Sequence, residues 1–235
     1  SSSYVRLRFS ARSTATARSW GRAYDELAVE TGLPAGDLNR YVNGHVLPGV
    51  ERAREVVEGA GREAVVAELE DRIRLDEEGY VDNSRVVFDQ PFLNLLAPVV
   101  AADFDDPAPD AVLTAATDGI TFGAALASHL DARVAYAKKS RETAVEEFVE
   151  ARDRLASGIE LTYYLPAAAL SEGDRVLVVD DLVRSGETQT LLLDIAERAG
   201  ATVVGVAALI AAGDEGLSRA RARVDAPVTT LVGTE

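Results

Sequence analysis

Downstream of residue 110, short unbroken apolar runs alternate with segments whose apolar positions recur every third or fourth residue. The runs at residues 111–116, 133–137, 176–179 and 202–210 read as strands, and segments 123–130 and 188–199 as helices, the second closed by Gly200. Such alternation, with continuous β-branched strands, predicts an α/β fold whose parallel sheet is covered on both faces. Ligands of such sheets bind beyond the carboxyl ends of the strands. Upstream, residues 62–76 place Val65, Val66, Leu69 and Ile73 on one helical face, which predicts a connecting helix and offers a contact for a homodimer. Gly59 and Gly61 break the helical pattern before it. The expected organisation is therefore a small all-α domain over 1–62, a connecting helix over 63–79 and an α/β domain over 80–235.

The periodicity before that boundary is helical but brief. Residues 24–30 form one helical pattern, Gly32 stops it, and residues 33–36 lead into a second short helix over 37–42. A small residue at Ala28, the turn glycine Gly32, and anchors at Leu38 and Tyr41 suit two helices packed closely across a tight turn. The segment ending in "LNRYVNGHVLP" resembles the repressor-type helix-turn-helix. That resemblance implies double-stranded DNA as a partner, with Asn39, Arg40 and Asn43 facing base edges or phosphates. Asp37 is the acid in this helix and suits its first turn.

Charge sharpens the division. The 235 residues carry 24 basic and 39 acidic side chains, a net charge of −15, and all the basic residues except Lys138 and Lys139 are arginine. Residues 1–62 hold nine arginines and seven acids, net +2, whereas residues 63–235 are net −17. Arg6, Arg8, Arg12, Arg18 and Arg22 precede the first acid, Asp25, and a basic arm on an acidic chain suits phosphate contact. The acidic, lysine-poor balance looks like that of a salt-accumulating halophile. Absence of cysteine excludes a disulfide framework and thiolate chemistry, and two histidines leave little scope for a histidine metal cluster. No apolar run approaches the roughly 20 residues of a membrane span, and no signal-peptide h-region follows the first arginines, so the expected location is the cytoplasm.

The candidate chemistry lies at the end of the run 176–179. "VLVVDDLVRSGET", residues 176–188, sets two adjacent carboxylates, Asp180 and Asp181, before a small-residue loop that opens a helix. Arg184, Ser185, Gly186, Glu187 and Thr188 offer backbone N–H groups, two hydroxyls and a helix N-terminus to a phosphate dianion. Vicinal ribose hydroxyls suit the two carboxylates. This string resembles the signature of the type I phosphoribosyltransferases, which bind phosphoribosyl pyrophosphate, and the resemblance runs over roughly residues 80–235. "AATDGITFG", with Ala116, Thr117, Asp118 and Gly119, resembles the family's pyrophosphate loop. "AYAKKS" resembles its strand that presents a basic residue, here Lys138 or Lys139. "ELTYYLPAAALSEGDRVLVVDDL" is similar to the adenine-type branch.

The resemblance implies that Asp180, Asp181 and Lys139 serve catalysis and that Mg²⁺ arrives with the diphosphate, with no residue assigned as a metal ligand. It implies a nucleobase or nucleotide as second ligand, read by a variable hood over residues 80–104 and the segment after Ala212. Three departures stand out. Asp118 replaces an arginine common in the adenine-type branch, Glu187 puts an acid in the phosphate loop, and the expected flexible loop, residues 141–157, carries five acids against three bases. Fusion to a helix-turn-helix resembles transcriptional regulators with a phosphoribosyltransferase-like sensor. The first expectation is such a regulator, and the alternative is an active purine phosphoribosyltransferase.

Overall fold

The computed structural model describes residues 62–104, 108–154, 158 and 160–234, so the helix-turn-helix expected around Asn39, Arg40 and Asn43 lies outside the described residues. The chain divides into two units between Val99 and Val100. In the first, α1 (Arg62–Arg72) leads to a small antiparallel ribbon of β1 (Arg74–Leu75) and β2 (Val81–Asp82), then to α2 (Ser84–Val87) and α3 (Gln90–Ala101). The first helix is shorter than its periodicity predicts. The chain passes from Arg72 into β1, and the Asp76 carboxylate closes the β1–β2 turn by accepting hydrogen bonds from the N–H groups of Glu78 and Tyr80 at 2.9 and 2.8 Å.

The apolar stripe of α1 is not free for a second copy, contrary to expectation. Val65, Leu69 and Ile73 are buried within the chain itself. Arg72, one turn beyond Glu68, pairs with Glu68 at 2.8 Å and Asp89 at 2.7 Å, and its guanidinium lies 3.8 Å from the Phe92 ring centroid. One arginine thus ties α1 to the start of α3 by charge, hydrogen bonding and stacking.

The second unit is a five-stranded parallel sheet in the order β4-β3-β7-β8-β9, formed by β3 (Ala111–Ala115), β4 (Arg133–Ala137), β7 (Arg175–Val183), β8 (Thr202–Ala212) and β9 (Val228–Thr234). Helices α4 (Gly119–His129), α5 (Glu187–Arg198) and α6 (Glu215–Arg221) connect successive strands, and β5 (Phe148–Arg154) pairs antiparallel with β6 (Glu160–Pro166) in a separate ribbon. Val176, Leu177, Val178 and Val179 are all fully buried. Successive strand residues face opposite ways, so both sheet faces are covered, as the unbroken apolar run predicts.

Two boundaries move for physical reasons. α4 begins at Gly119 rather than residue 123, with Gly119 and Gly123 letting the helix lie against Thr114. β7 continues through both aspartates to Val183, because β8 pairs with it as far as Ala211. Residues 141–157, expected as a flexible loop, carry β5, which pairs along its whole length with β6. Two of their acids are paired: Glu150 with Arg141 at 2.7 Å and Arg152 at 3.3 Å, and Glu142 with Lys138. At the amino end of the sheet, Arg175 donates from Nε and Nη2 to both Asp110 oxygens at 2.9 and 2.8 Å, and its backbone N–H adds a third bond. Among the described residues no helix is long and apolar enough to cross a membrane.

Candidate active site

Three neighbouring strands, β4, β3 and β7, end at one edge of the sheet, and each feeds one candidate segment: Lys138–Lys139 after β4, residues 116–119 after β3, and residues 184–188 after β7. The Ala116 N–H donates to the Ala137 carbonyl at 2.8 Å, extending the β3–β4 ladder to the start of the loop. The Ala116–Thr117 peptide is cis. Thr117 and Asp118 are exposed, whereas Gly119 is buried at the first turn of α4. A Cβ on Gly119 would lie 2.3 Å from Thr114 Oγ1 and 2.8 Å from Asp180 Oδ1. Only glycine permits this approach, and it brings the β3 loop against the β7 acid pair.

The aspartates differ from expectation in being buried, Asp180 at 8% and Asp181 at 7% exposure. Gln189, itself buried on the first turn of α5, donates from Nε2 to Asp180 Oδ2 at 2.7 Å. Asp180 Oδ1 accepts from the Asp181 N–H at 3.2 Å. Burial, then the neighbouring Asp181 charge, pushes the Asp180 carboxyl well above the usual range. Two adjacent carboxylates in a low dielectric do not both ionise readily, and the pair favours retaining a proton until cations or ligand hydroxyls arrive. The Thr114 hydroxyl below Gly119 is fully buried and has no hydrogen-bond partner among the described residues.

The loop after β7 turns on Gly186, whose φ of 77° lies in the left-handed region. Its absent Cβ would meet Gly216 O at 2.8 Å and Gly216 Cα at 2.9 Å, so the start of α6 packs backbone to backbone against the loop. Arg219 of α6 donates to the Ser185 carbonyl at 3.3 Å. Glu187 does not turn away from the loop: its carboxylate accepts a hydrogen bond from the Ser185 hydroxyl. Thr188 stands on the first turn of α5. Arg184 is exposed.

The two lysines part company. Lys138 exchanges backbone hydrogen bonds with Tyr164 at 2.9 and 2.8 Å, and its ammonium is held by Glu142, which raises it above its ordinary value. Lys139 is exposed, with Nζ 5.9 Å from the Tyr163 ring centroid. Tyr163 therefore stands beside Lys139 and Thr188, and close enough to Asp180 to feel its charge. Burial pushes its phenol up, the neighbouring Thr188 hydroxyl opposes that shift, and the Asp180 charge adds to it. Gln189, Tyr163 and Arg219 are members of this site that pattern reading passes over. A tyrosine in an alternating strand and a glutamine in a helix carry no local mark of what they touch.

A single edge thus carries a buried carboxylate pair, a loop that opens a helix, and the segments after β3 and β4, a set of groups with the chemistry to take hydroxyls and anions. Residues 98–227 match the family model of the phosphoribosyl transferase domain. A xanthine phosphoribosyltransferase of Lactobacillus delbrueckii subsp. bulgaricus is 32% identical over 153 residues, which cover 60% of this chain and 80% of the relative. A hypoxanthine/guanine phosphoribosyltransferase of Methanopyrus kandleri is 33% identical over 126 residues, 54% of this chain and 64% of that one. The crystal structure of an adenine phosphoribosyltransferase from Rhodothermus marinus superposes with a TM-score of 0.62 at 26% identity, covering 73% of this chain and 99% of the other. The chain belongs to the phosphoribosyl transferase family.

Proposed function

We propose that the chain binds phosphoribosyl pyrophosphate and transfers its phosphoribosyl group to a purine base. The observation that carries this reading is the convergence of Gly119 and Asp180, which sets the loop for pyrophosphate against the carboxylates for ribose. The loop of Ser185, Gly186, Glu187 and Thr188 takes the 5′-phosphate, Asp180 and Asp181 the ribose hydroxyls, and Ala116 to Gly119 with Lys139 the pyrophosphate. A nitrogen of the base forms a bond to ribose C1 as the C1–O bond to pyrophosphate breaks. The diphosphate leaves with the bonding electrons, and the base releases its N–H proton to solvent. The protein acts by alignment and by charge placed around an oxocarbenium-like state. The purine relatives support a purine acceptor.

Mg²⁺ fits this donor set as a passenger on the diphosphate. Among the described residues no group of three or more carboxylate or histidine side chains could cage a metal. Exposed Asp118 is the carboxylate suited to hold a hydrated Mg²⁺ from the protein side, where the ion would offset diphosphate charge. The test is an assay in high potassium chloride with phosphoribosyl pyrophosphate, Mg²⁺ and a panel of purines and orotate. Turnover with a purine supports transfer, and no turnover with any base overturns it.

A second reading rests on residues 1–62. Their net charge of +2 on an otherwise acidic chain, and the spacing of Ala28, Gly32, Leu38 and Tyr41, favour a cytoplasmic DNA-binding regulator that uses the same pocket as a sensor. It would act as a homodimer, since paired recognition helices read half-sites one DNA turn apart. Ligand binding without turnover, a change of operator affinity on adding phosphoribosyl pyrophosphate, and a dimer in light scattering would favour this reading over the first.

A further inference from the structure

Gln189 is a buried amide in α5, a helix whose other buried residues are Leu191, Leu192, Leu193, Ile195 and Ala196. An amide in such surroundings costs free energy unless it is hydrogen-bonded, and an apolar side chain would fill the space without that cost. What the amide reaches is Asp180: Nε2 donates to Oδ2 at 2.7 Å, between residues that are 2% and 8% exposed. The bond spans the neck of the loop, because Asp180 stands on β7 before residues 184–188 and Gln189 follows Thr188 on the first turn of α5.

The last torsion of an aspartate is broad, so no rotamer well fixes the plane of its carboxylate and its partners must do so. Asp180 has a donor on each oxygen, Gln189 on Oδ2 and the Asp181 N–H on Oδ1, and Oδ1 also faces Gly119 at the start of α4. Two donors on two oxygens fix the plane. Each carboxylate oxygen has two lone pairs, so one on each is left in a set direction. Sugar hydroxyls need that direction, since a hydrogen bond weakens steeply as its angle closes. A phosphate held by the loop makes no such demand on Asp180.

We infer that Gln189 is a positioning residue that sets the Asp180 carboxylate for ribose hydroxyls, and so lets the site tell a ribose phosphate from a phosphate ester that lacks them. The inference rests on the phosphoribosyl reading of the site and adds to it a residue from outside the signature string.

The test compares ribose 5-phosphate with tetrahydrofurfuryl phosphate, which has the ring and the phosphate but no hydroxyls, by calorimetric titration of the full chain. The proteins are wild type, Gln189→Met, Asp180→Ala and the double variant, methionine being as long as glutamine but without its donor. Gln189→Met should weaken ribose 5-phosphate about threefold to tenfold, the range of one hydrogen bond, and leave tetrahydrofurfuryl phosphate within about twofold. Beside Asp180→Ala the same change should have no further effect. Equal wild-type affinity for the two ligands, equal weakening of both, no weakening of ribose 5-phosphate, or a loss that persists beside Asp180→Ala overturns the inference. Wild type that binds neither ligand instead overturns the phosphoribosyl reading beneath it. The unaltered chain offers a second measurement, because its glutamines are Gln90 and Gln189 alone. With ¹⁵N-labelled glutamine, the Gln189 side-chain amide resonance should move further on adding ribose 5-phosphate than on adding tetrahydrofurfuryl phosphate, and equal movement contradicts the inference.

Discussion

The two ends of the parallel sheet treat their carboxylates in opposite ways. At the amino end Asp110 receives three hydrogen bonds from Arg175, which hold its carboxyl far below the usual range. At the carboxyl end Asp180 is buried beside another acid, accepts from the Gln189 amide and the Asp181 N–H, and has its carboxyl pushed up. The amino end is satisfied by the chain itself. The carboxyl end holds a like-charged pair and a Thr114 hydroxyl with no hydrogen-bond partner among the described residues. The contrast sets an internally neutralised carboxylate at one end of the sheet against a like-charged pair at the end where the proposed phosphoribosyl site lies.

The contrast is broken most severely at Gly119. Gly119→Ala drives a methyl into Thr114 and Asp180, and the expected outcome is at least a tenfold loss of affinity for phosphoribosyl pyrophosphate and about 1–3 kcal/mol of stability. Calorimetric titration and urea unfolding report the two effects, and unaltered affinity would show that the loop does not depend on that approach.

Asp180→Asn should have opposite effects on stability and binding. Unfolded, the aspartate titrates near 3.9, whereas in the folded chain burial and Asp181 hold its pKa higher. Below about pH 3.9 both states are protonated. As pH rises beyond it, the unfolded chain loses its proton first, so stability falls through the window up to the folded pKa and is flat above. Asn removes that fall. The variant should unfold at higher urea than wild type at pH 7.5, with the gap narrowing toward pH 4, while ribose 5-phosphate binding drops about tenfold. A variant less stable than wild type at neutral pH would contradict the burial argument.

Glu187 offers a gentler probe. Its carboxylate occupies the Ser185 hydroxyl in the loop, so an incoming phosphate competes with it and is repelled by it. Glu187→Ala should tighten ribose 5-phosphate binding about twofold to fivefold. Weaker binding would mean that the acid organises the loop instead.

The smallest effect belongs to the amino end. Asp110 has a lowered folded pKa, so its contribution is present above about pH 3.9 and is lost as pH falls below it. Asp110→Asn should lower the urea midpoint slightly at neutral pH, with the deficit fading on acidification, and should leave ligand affinity within about twofold because the residue lies at the other end of the sheet. Its pH slope is the reverse of that for Asp180.

Much of this architecture is legible in the chain, and the gaps follow a rule. The run that became the core of β7 is found because uninterrupted apolar residues mark a doubly covered strand. Burial of Asp180 and Asp181 is not, because two charges read as a strand end, whereas pairing with β8 carries the strand past them. The early start of α4 is hidden for a related reason. Gly119 looks like a loop residue, yet it is small to admit Thr114 beside the helix. Glu187 is visible as an acid in the loop, but its turn onto Ser185 is a tertiary choice between rotamers. Tyr163 and Gln189 reach the site from a ribbon and a helix face, and periodicity assigns a side, not a partner.

The register of β3 on β7 bears on how the molecule reaches its native state. Those strands pair from Ala111 against Val176 to Leu113 against Val178, and the intervening chain forms α4, β4 and the β5–β6 ribbon. Gly119 cannot meet Asp180 until that long loop has closed, and closure of sequence-distant strands is the slow part of folding. A ligand that needs both segments therefore has nothing to grip before the rate-limiting barrier. Phosphoribosyl pyrophosphate should protect this chain by retarding its unfolding, with the refolding rate left as it was.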